Sequence, residues 1–233
     1  MNYAIIAAGE GSRLLEEGVA IPKPLVQING ISLIDRLIEI FCNNNATSIS
    51  IIVNNEMTEV QHHLRQMRLN IPLHLVVKST PGSMHSFFEL SPYLKEDKFC
   101  LTTVDTVFKE DEFSAYIQDF ITDNSHDGMM AVTDFVDDEK PLYVAVDPDT
   151  MLITEYLDSP SSYVHYVSGG IYCLSPQAIP VLHSCMNQGM YRMRNYQRQL
   201  IAEGMRLKAW PFRKIIDVDH VGDIEKAAAF LRE

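Results

Sequence analysis

Ala4-Ile5-Ile6-Ala7-Ala8-Gly9-Glu10-Gly11-Ser12-Arg13-Leu14, followed by Pro22-Lys23-Pro24-Leu25, is the stretch on which the reading of this chain turns. Residues 1–8 form a short apolar run, the pattern of a buried strand. The run breaks at Gly9 and Gly11, which permit backbone geometries and close approaches that a Cβ forbids. Successive backbone N–H groups in such a turn can cradle phosphate oxygens, with Arg13 and Lys23 supplying cations beside them. No Gly-Lys-Ser/Thr follows at P-loop spacing, and the third glycine of the dinucleotide fingerprint is missing. Spacing alone therefore leaves two readings level: a glycine turn of any α/β protein, or a phosphate cradle. The segments that join it have to decide.

Working outward, residues 32–41 place Leu33, Ile34, Leu37, Ile38 and Phe41 on one helix face, with Ser32 as N-cap. Residues 48–53 are an apolar, β-branched strand ended by Asn54-Asn55. Helical spacing returns over 57–69, strand character over 73–77, a short helix over 83–90 after Pro81-Gly82, and a buried strand over 99–104. This β-α alternation with short connections predicts a mainly parallel sheet covered on both faces. Ligands on such sheets sit at the carboxyl ends of strands, where the Gly9 loop, the Pro81-Gly82 turn and Asp105 all fall. After a helix at 111–121 and a strand at 128–133, the segments 143–147, 151–156 and 163–174 read as antiparallel additions. The remainder predicts helices at 176–186 and 194–202, strands at 207–210 and 214–218, and a helix at 223–231.

With 233 residues, 46% hydrophobic and 21% charged, the chain can bury a sizeable core. No linker, low-complexity tract or fixed-period repeat divides it, so a single domain over 1–233 is expected. A formal charge of −12, from 19 basic and 31 acidic residues, argues against a nucleic-acid partner. It leaves room for a nucleotide held by a few focused cations and a metal. Cys42, Cys100, Cys173 and Cys185 are scattered, two in predicted helices and two in predicted strands, and read as reduced core residues. No apolar run reaches membrane-spanning length, so neither a membrane nor a secretory route is expected, and a reducing cytoplasm fits.

Two acidic segments bear on the loop. Asp105 directly follows the strand 99–104, well placed to hold Mg²⁺, though a loop-start aspartate reads the same way. Ile215-Ile216-Asp217-Val218-Asp219-His220-Val221-Gly222-Asp223 carries three acids before a helix. Asp217 and Asp219 share a face if that segment is extended, and Asp219 or Asp223 could equally cap the helix.

Together these residues resemble the nucleotidyltransferases that include the sugar-1-phosphate nucleotidylyltransferases, the phosphocholine cytidylyltransferases and the molybdopterin guanylyltransferases. Residues 7–14 with 22–25 are similar to the family's signature loop. Pro81-Gly82-Ser83-Met84-His85-Ser86 resembles its base-binding turn, Val104-Asp105 its metal aspartate, and Asp219 with Asp223 its second acid. Ser168-Gly169-Gly170-Ile171-Tyr172 resembles its acceptor-side strand. The resemblance implies a three-layer α/β/α, Rossmann-like, GT-A-like fold with a mixed, mainly parallel sheet. It implies Mg²⁺-dependent transfer of a nucleoside monophosphate from an NTP to a small phosphorylated acceptor, a sugar 1-phosphate or a phosphocholine-like headgroup, releasing pyrophosphate. Ala8, Gly9, Gly11, Ser12, Gly82 and Ser83 would bind nucleotide, and Gly170 and Tyr172 the acceptor. Arg13 and Lys23 would be catalytic, and Asp105 and Asp219 would hold Mg²⁺, with Asp217 a possible substitute for Asp219. A homo-oligomer stays open, and the short C-terminal part leaves no room for the left-handed β-helix of longer relatives.

The chain departs from the pattern on the acceptor side. The family's Glu-Lys-Pro falls at Asp158-Ser159-Pro160, where no lysine stands, and its Tyr-Gly becomes Tyr143-Val144. Lys214, Arg213 and Arg194 are candidates for the missing cation, and His220 for orienting Asp219. His62 and His63 read as solvated surface, His85 as structural, Tyr163 and Tyr166 as strand packing, and 134–140 as a solvated loop. Two alternatives stand beside the leading one: a molybdopterin guanylyltransferase-like enzyme, and a regulatory module that holds nucleotide without turnover.

Overall fold

In the computed structural model, which describes residues 1–137 and 140–233, the opening apolar run is β1 (Asn2–Ala7) and the segment after the second glycine is α1 (Ser12–Glu16). There follow β2 (Gln27–Ile28), β3 (Ile31–Ser32), α2 (Leu33–Asn43), β4 (Ser48–Val53), α3 (Thr58–Gln66), β5 (Leu73–Val77) and α4 (Ser83–Leu90). The middle of the chain gives β6 (Phe99–Thr103), β7 (Thr106–Val107), α5 (Glu110–Thr122), β8 (Gly128–Thr133), β9 (Tyr143–Val146), β10 (Ile153–Leu157) and β11 (Tyr166–Leu174). Last come α6 (Ala178–Asn187), α7 (Met193–Ala202), β12 (Leu207–Pro211), β13 (Ile216–Asp217) and α8 (Val221–Arg232).

The main sheet is mixed. β5, β4, β1 and β6 run parallel side by side, and β11 joins β6 antiparallel, carrying β9, β10 and β8 with it. β12 closes the far side parallel to β8. β1 explains the parallel core. Tyr3, Ile5 and Ala7 enter one apolar cluster, and Ala4 and Ile6 the other, so the strand is apolar from Tyr3 onward because both faces are covered. The first cluster takes the inner faces of α2, α3, α5 and α8, and the second those of α4, α6 and α7. These are the three layers that the β-α alternation predicts. In the first, Tyr3 stacks on Phe41 at 4.4 Å between ring centroids, and Phe108 on Phe113 at 4.8 Å.

Ser32 caps α2 as expected, its Oγ accepting from Asp35 N–H at 3.1 Å. Several boundaries move. The helix expected over 57–69 stops at Gln66, because Met67, Leu69 and Ile71 pack on the core from extended chain leading into β5. Two short ribbons form: β2–β3 around the positive-φ pair Asn29-Gly30, where no strand was expected, and β7–β13, of which β13 falls within the strand expected at 214–218 and β7 was not foreseen. Cys42 is exposed on α2, unlike the core position expected of it, since it lies off the apolar stripe. Cys100, Cys173 and Cys185 are buried. Asp138 and Glu139, within the run 134–140 read as a loop, lie outside the described residues. Among the described residues, no helix is long and apolar enough to cross a membrane.

Candidate active site

β1 lies between β4 and β6; the chain runs from it outward to β4 and β5 and then crosses back to β6, and a crevice opens beyond the carboxyl ends of these strands. The glycine loop fills that position. Gly11 adopts φ +64, and a Cβ there would stand 3.0 Å from the Cβ of Lys23. Both the left-handed backbone and the close packing demand glycine. Gly9 carries neither constraint; a Cβ on it would meet nothing within 4 Å. Asn54, at the end of β4, donates from Nδ2 to the Ala8 carbonyl at 3.3 Å, while its Oδ1 accepts from the amides of Glu56 and Met57. One side chain thus ties the loop to the neighbouring strand end. Lys23 opens a short 3-10 turn (Lys23–Leu25) and is nearly buried, with a side-chain exposure of 9%.

The acids arrive by a different route. Asp105 occupies the turn between β6 and β7, and β7 pairs antiparallel with β13, Ile216 opposite Val107 and Asp217 opposite Thr106. Val218 N–H donates to the Asp105 carbonyl at 3.0 Å. This ribbon sets Asp219 beside Asp105 across the sequence. Lys23 Nζ then bridges them, at 2.5 Å from Asp105 Oδ2 and 2.6 Å from Asp219 Oδ1, and Arg13 donates to Asp219 Oδ2 at 2.7 Å. Burial works against the Lys23 ammonium, yet the two carboxylates outweigh it and hold its pKa above the ordinary lysine value. Asp223 serves α8 itself: its carboxylate accepts from the amides of Asp219 and His220 as half of a capping box.

Ala8, Gly9, Gly11, Ser12, Arg13, Lys23, Gly82, Ser83, Asp105 and Asp219 all line one cavity of about 650 Å³. Asp217 instead lines a smaller cavity of about 280 Å³, which shares Arg13 and Asp219 with the first. Gly170 and Tyr172, expected at the acceptor, line neither cavity; a Cβ on Gly170 would lie 3.4 Å from Thr106 Oγ1 and 3.9 Å from Thr103 Oγ1. Tyr172 is buried, its hydroxyl accepting from Gln197 Nε2 at 3.3 Å, and burial raises its pKa to about 12. Gln197 Oε1 accepts from Ser168 Oγ at 3.3 Å, and the buried Tyr156 hydroxyl has no hydrogen-bond partner. Of the candidate cations, Lys214 lies over the Phe135 and Phe230 rings and Arg213 binds Glu112. Arg194 binds Asp158 at 2.6 Å, within electrostatic reach of Tyr172.

Sequence reasoning gave no role to Thr80 and Glu17, and none to Asn54 beyond ending a strand. Ser86 closes the segment read as the base-binding turn, and its 2.6 Å hydroxyl contact with Thr80 around Gly82 was not foreseen.

A family model described as "Nucleotidyl transferase" matches residues 3–233. Bifunctional protein GlmU of Thermodesulfovibrio yellowstonii is 23% identical over the whole chain, which spans 52% of that protein's length. UTP--glucose-1-phosphate uridylyltransferase AglF of Haloferax volcanii is 22% identical, with all of this chain and 97% of that protein covered. Among solved structures, the inositol-1-phosphate CTP transferase from T. maritima superposes with TM-score 0.81 at 18% identity, covering 100% of this chain and 96% of that one. A UDP-glucose pyrophosphorylase from Acinetobacter baumanii gives 0.82 at 14%, covering 98% and 92%. A glycine loop at the end of a central parallel strand, on a three-layer fold matched from residue 3 to residue 233, belongs to a chain of the nucleotidyl transferase family.

Proposed function

We propose that this protein, one nucleotidyltransferase domain over 1–233, transfers a nucleoside monophosphate from an NTP to a small phosphorylated acceptor. The observation that carries this reading is the convergence of Lys23 and Arg13 with Asp105 and Asp219 in the cavity floored by the glycine loop. An acceptor phosphate oxygen attacks the α-phosphorus, the bond from that phosphorus to the bridging oxygen breaks, and pyrophosphate leaves. The attacking phosphate is already ionised, so no general base is needed. Backbone groups of Gly11 and Ser12 hold triphosphate oxygens and the Gly82-Ser83 turn takes the base. Lys23 bridges the attacking phosphate and the α-phosphate, and Arg13 neutralises the departing pyrophosphate. Positioning and fixed charge supply most of such catalysis.

The side chains fit a magnesium ion. Two carboxylates from distant segments already reach a single cationic point, the Lys23 ammonium, and Mg²⁺ asks for one or two carboxylates with phosphate and water completing its shell. Asp105 and Asp219 would hold it, and there it would offset charge on the phosphates. Among the described residues no group of three or more His, Cys, Asp and Glu side chains is arranged so that it could hold a metal ion by itself.

On the acceptor side, Ser168 lines the smaller cavity and offers an uncharged hydrogen-bonding hydroxyl, which supports a hydroxyl-bearing acceptor such as a sugar 1-phosphate over a phosphocholine-like one. Of the candidate cations, Arg194 is the one whose charge reaches Tyr172, and it would have to leave Asp158 to meet the acceptor phosphate. Four cysteines without a disulfide support a cytoplasmic setting.

The test is a pyrophosphate-release screen of the four NTPs against sugar phosphates, cyclitol phosphates and phosphorylated amino alcohols with Mg²⁺. Turnover with a hydroxyl-bearing acceptor is expected, and silence across the panel would favour a module that binds without turnover. Lys23→Ala should lower kcat at least ~100-fold in a folded protein, the scale on which single stabilising contacts to a transition state act. Asp105→Asn should abolish the Mg²⁺-dependent rate; normal rates in either variant would remove that residue from the mechanism.

A further inference from the structure

We infer that Glu17 is a positioning residue for Asp219, clasping the signature loop to the segment that carries the second acid; this rests on the reading of Asp219 as a ligand-holding acid. Glu17 Oε1 lies 2.5 Å from His220 Nδ1, and Glu17 Oε2 accepts from the Val221 amide at 2.7 Å. The two segments are more than 200 positions apart in the chain, with separations of 203 and 204. Glu17 lines neither cavity, so it acts through what it holds.

Its place on α1 gives the clasp its leverage. Glu17 N–H donates to the Arg13 carbonyl at 3.0 Å, which sets Arg13 and Glu17 one helical turn apart on the same face. Arg13 reaches the Asp219 carboxylate at 2.7 Å, while Glu17 grips the two residues that follow Asp219. The remaining ties on that backbone do a different job. Val218 N–H is anchored to the Asp105 carbonyl, and the Asp219 and His220 amides to Asp223. The first fixes the segment to the end of β6, and the second fixes it to its own helix. Among these backbone ties, Glu17 is the one that comes from the segment carrying Arg13 and leading to Lys23. It therefore reinforces, from outside the cavity, the spacing that the direct Arg13 and Lys23 contacts set to Asp219. The amide of Val221 and the His220 ring together hold the Glu17 carboxyl below its ordinary pKa, so it stands as a carboxylate at neutral pH.

The experiment uses the full chain with Mn²⁺ as the probe, followed by electron paramagnetic resonance in the presence of pyrophosphate. Glu17→Ala should weaken Mn²⁺ binding roughly 10–100-fold, the usual effect of removing a group that orients a metal ligand. Pyrophosphate binding in EDTA and the melting temperature should stay near wild type. Glu17→Gln keeps an acceptor for Val221 and gives up the charge towards His220, so an intermediate loss is expected. It also provides the measurement if Glu17→Ala does not fold. Wild-type Mn²⁺ affinity in a folded Glu17 variant overturns the inference. So does a weakening that only follows a falling melting temperature, which is the mark of a plain helix cap. Asp219→Asn runs alongside: undiminished Mn²⁺ binding there overturns the reading of Asp219 itself, whatever Glu17 shows.

Discussion

At Gly11 the backbone and the neighbouring side chain press on the same missing atom. A methyl group there would be held in a left-handed conformation, which costs an L-residue about 1–2 kcal/mol, and would push on the Lys23 stem 3.0 Å away. Gly11→Ala should therefore lower kcat at least ~10-fold while the protein still folds, on the scale at which small misplacements at a reacting centre are felt. Steady-state kinetics beside a melting curve checks this, and a change in melting temperature alone would mean that Lys23 tolerates the push. Gly9→Ala carries no such packing constraint within the protein. The loop residues were legible from sequence because glycine geometry and cation chemistry are local properties. Asp217 and Asp219 were not separable, because alternate spacing gives them one face and only the Lys23 and Arg13 partners tell them apart. Glu17 had no local signal at all.

Among the elements, α5 is tied to two strands at once by the hydroxyl of Tyr116. Tyr116 Oη donates to the Met129 carbonyl at 2.5 Å and accepts from the Cys173 amide at 3.0 Å, joining β8 and β11 beneath the helix. The group is fully buried, and burial holds its pKa well above the tyrosine value. Tyr116→Phe leaves the Cys173 amide without that partner and should cost about 1–3 kcal/mol in denaturant unfolding. A loss well below that range would mean that β11 recovers the bond within its ladder. Strands and helices with clear periodicity were read from the chain nearly to their ends, as for β8 and α2. The β7–β13 ribbon was legible only in its second strand, inside the segment 214–218. Two-residue strands carry no period, and their pairing is long-range, so the element that brings the acids together left only a faint trace.

Over the whole molecule the excess of acids sets the response to pH. Asp158 is held below its ordinary pKa by Arg198 and Arg194, and Asp147 by Thr150 and the Asp149 amide. For Asp123, burial pushes upward but the hydrogen bonds from Ser125 and the His126 contact outweigh it. Each folded pKa lies below the unfolded one, so the unfolded chain binds more protons and stability falls as pH drops through and below about 4. Melting temperatures should hold between pH 7 and about 5, then decline. Asp123→Asn should shrink the decline; an unchanged slope would assign acid sensitivity to other groups. The three-layer arrangement was legible because two-sided burial leaves β1 apolar from Tyr3 onward and β4 mostly so, whereas the order β11-β6-β1-β4 depends on pairings that no short window contains.

The short ribbon between β7 and β13 also has a bearing on how the protein comes into being. Arg13 and Asp219 stand 206 positions apart, and Lys23 and Asp219 stand 196 apart. A ribosome delivers them in that order, and at roughly 5–20 residues per second the loop waits on the order of ten seconds for the acid. Throughout that interval the nascent chain holds the glycine turn, both cations and, for the later part, Asp105. It becomes a matched set of charges only when Asp219 has emerged and β13 has found β7.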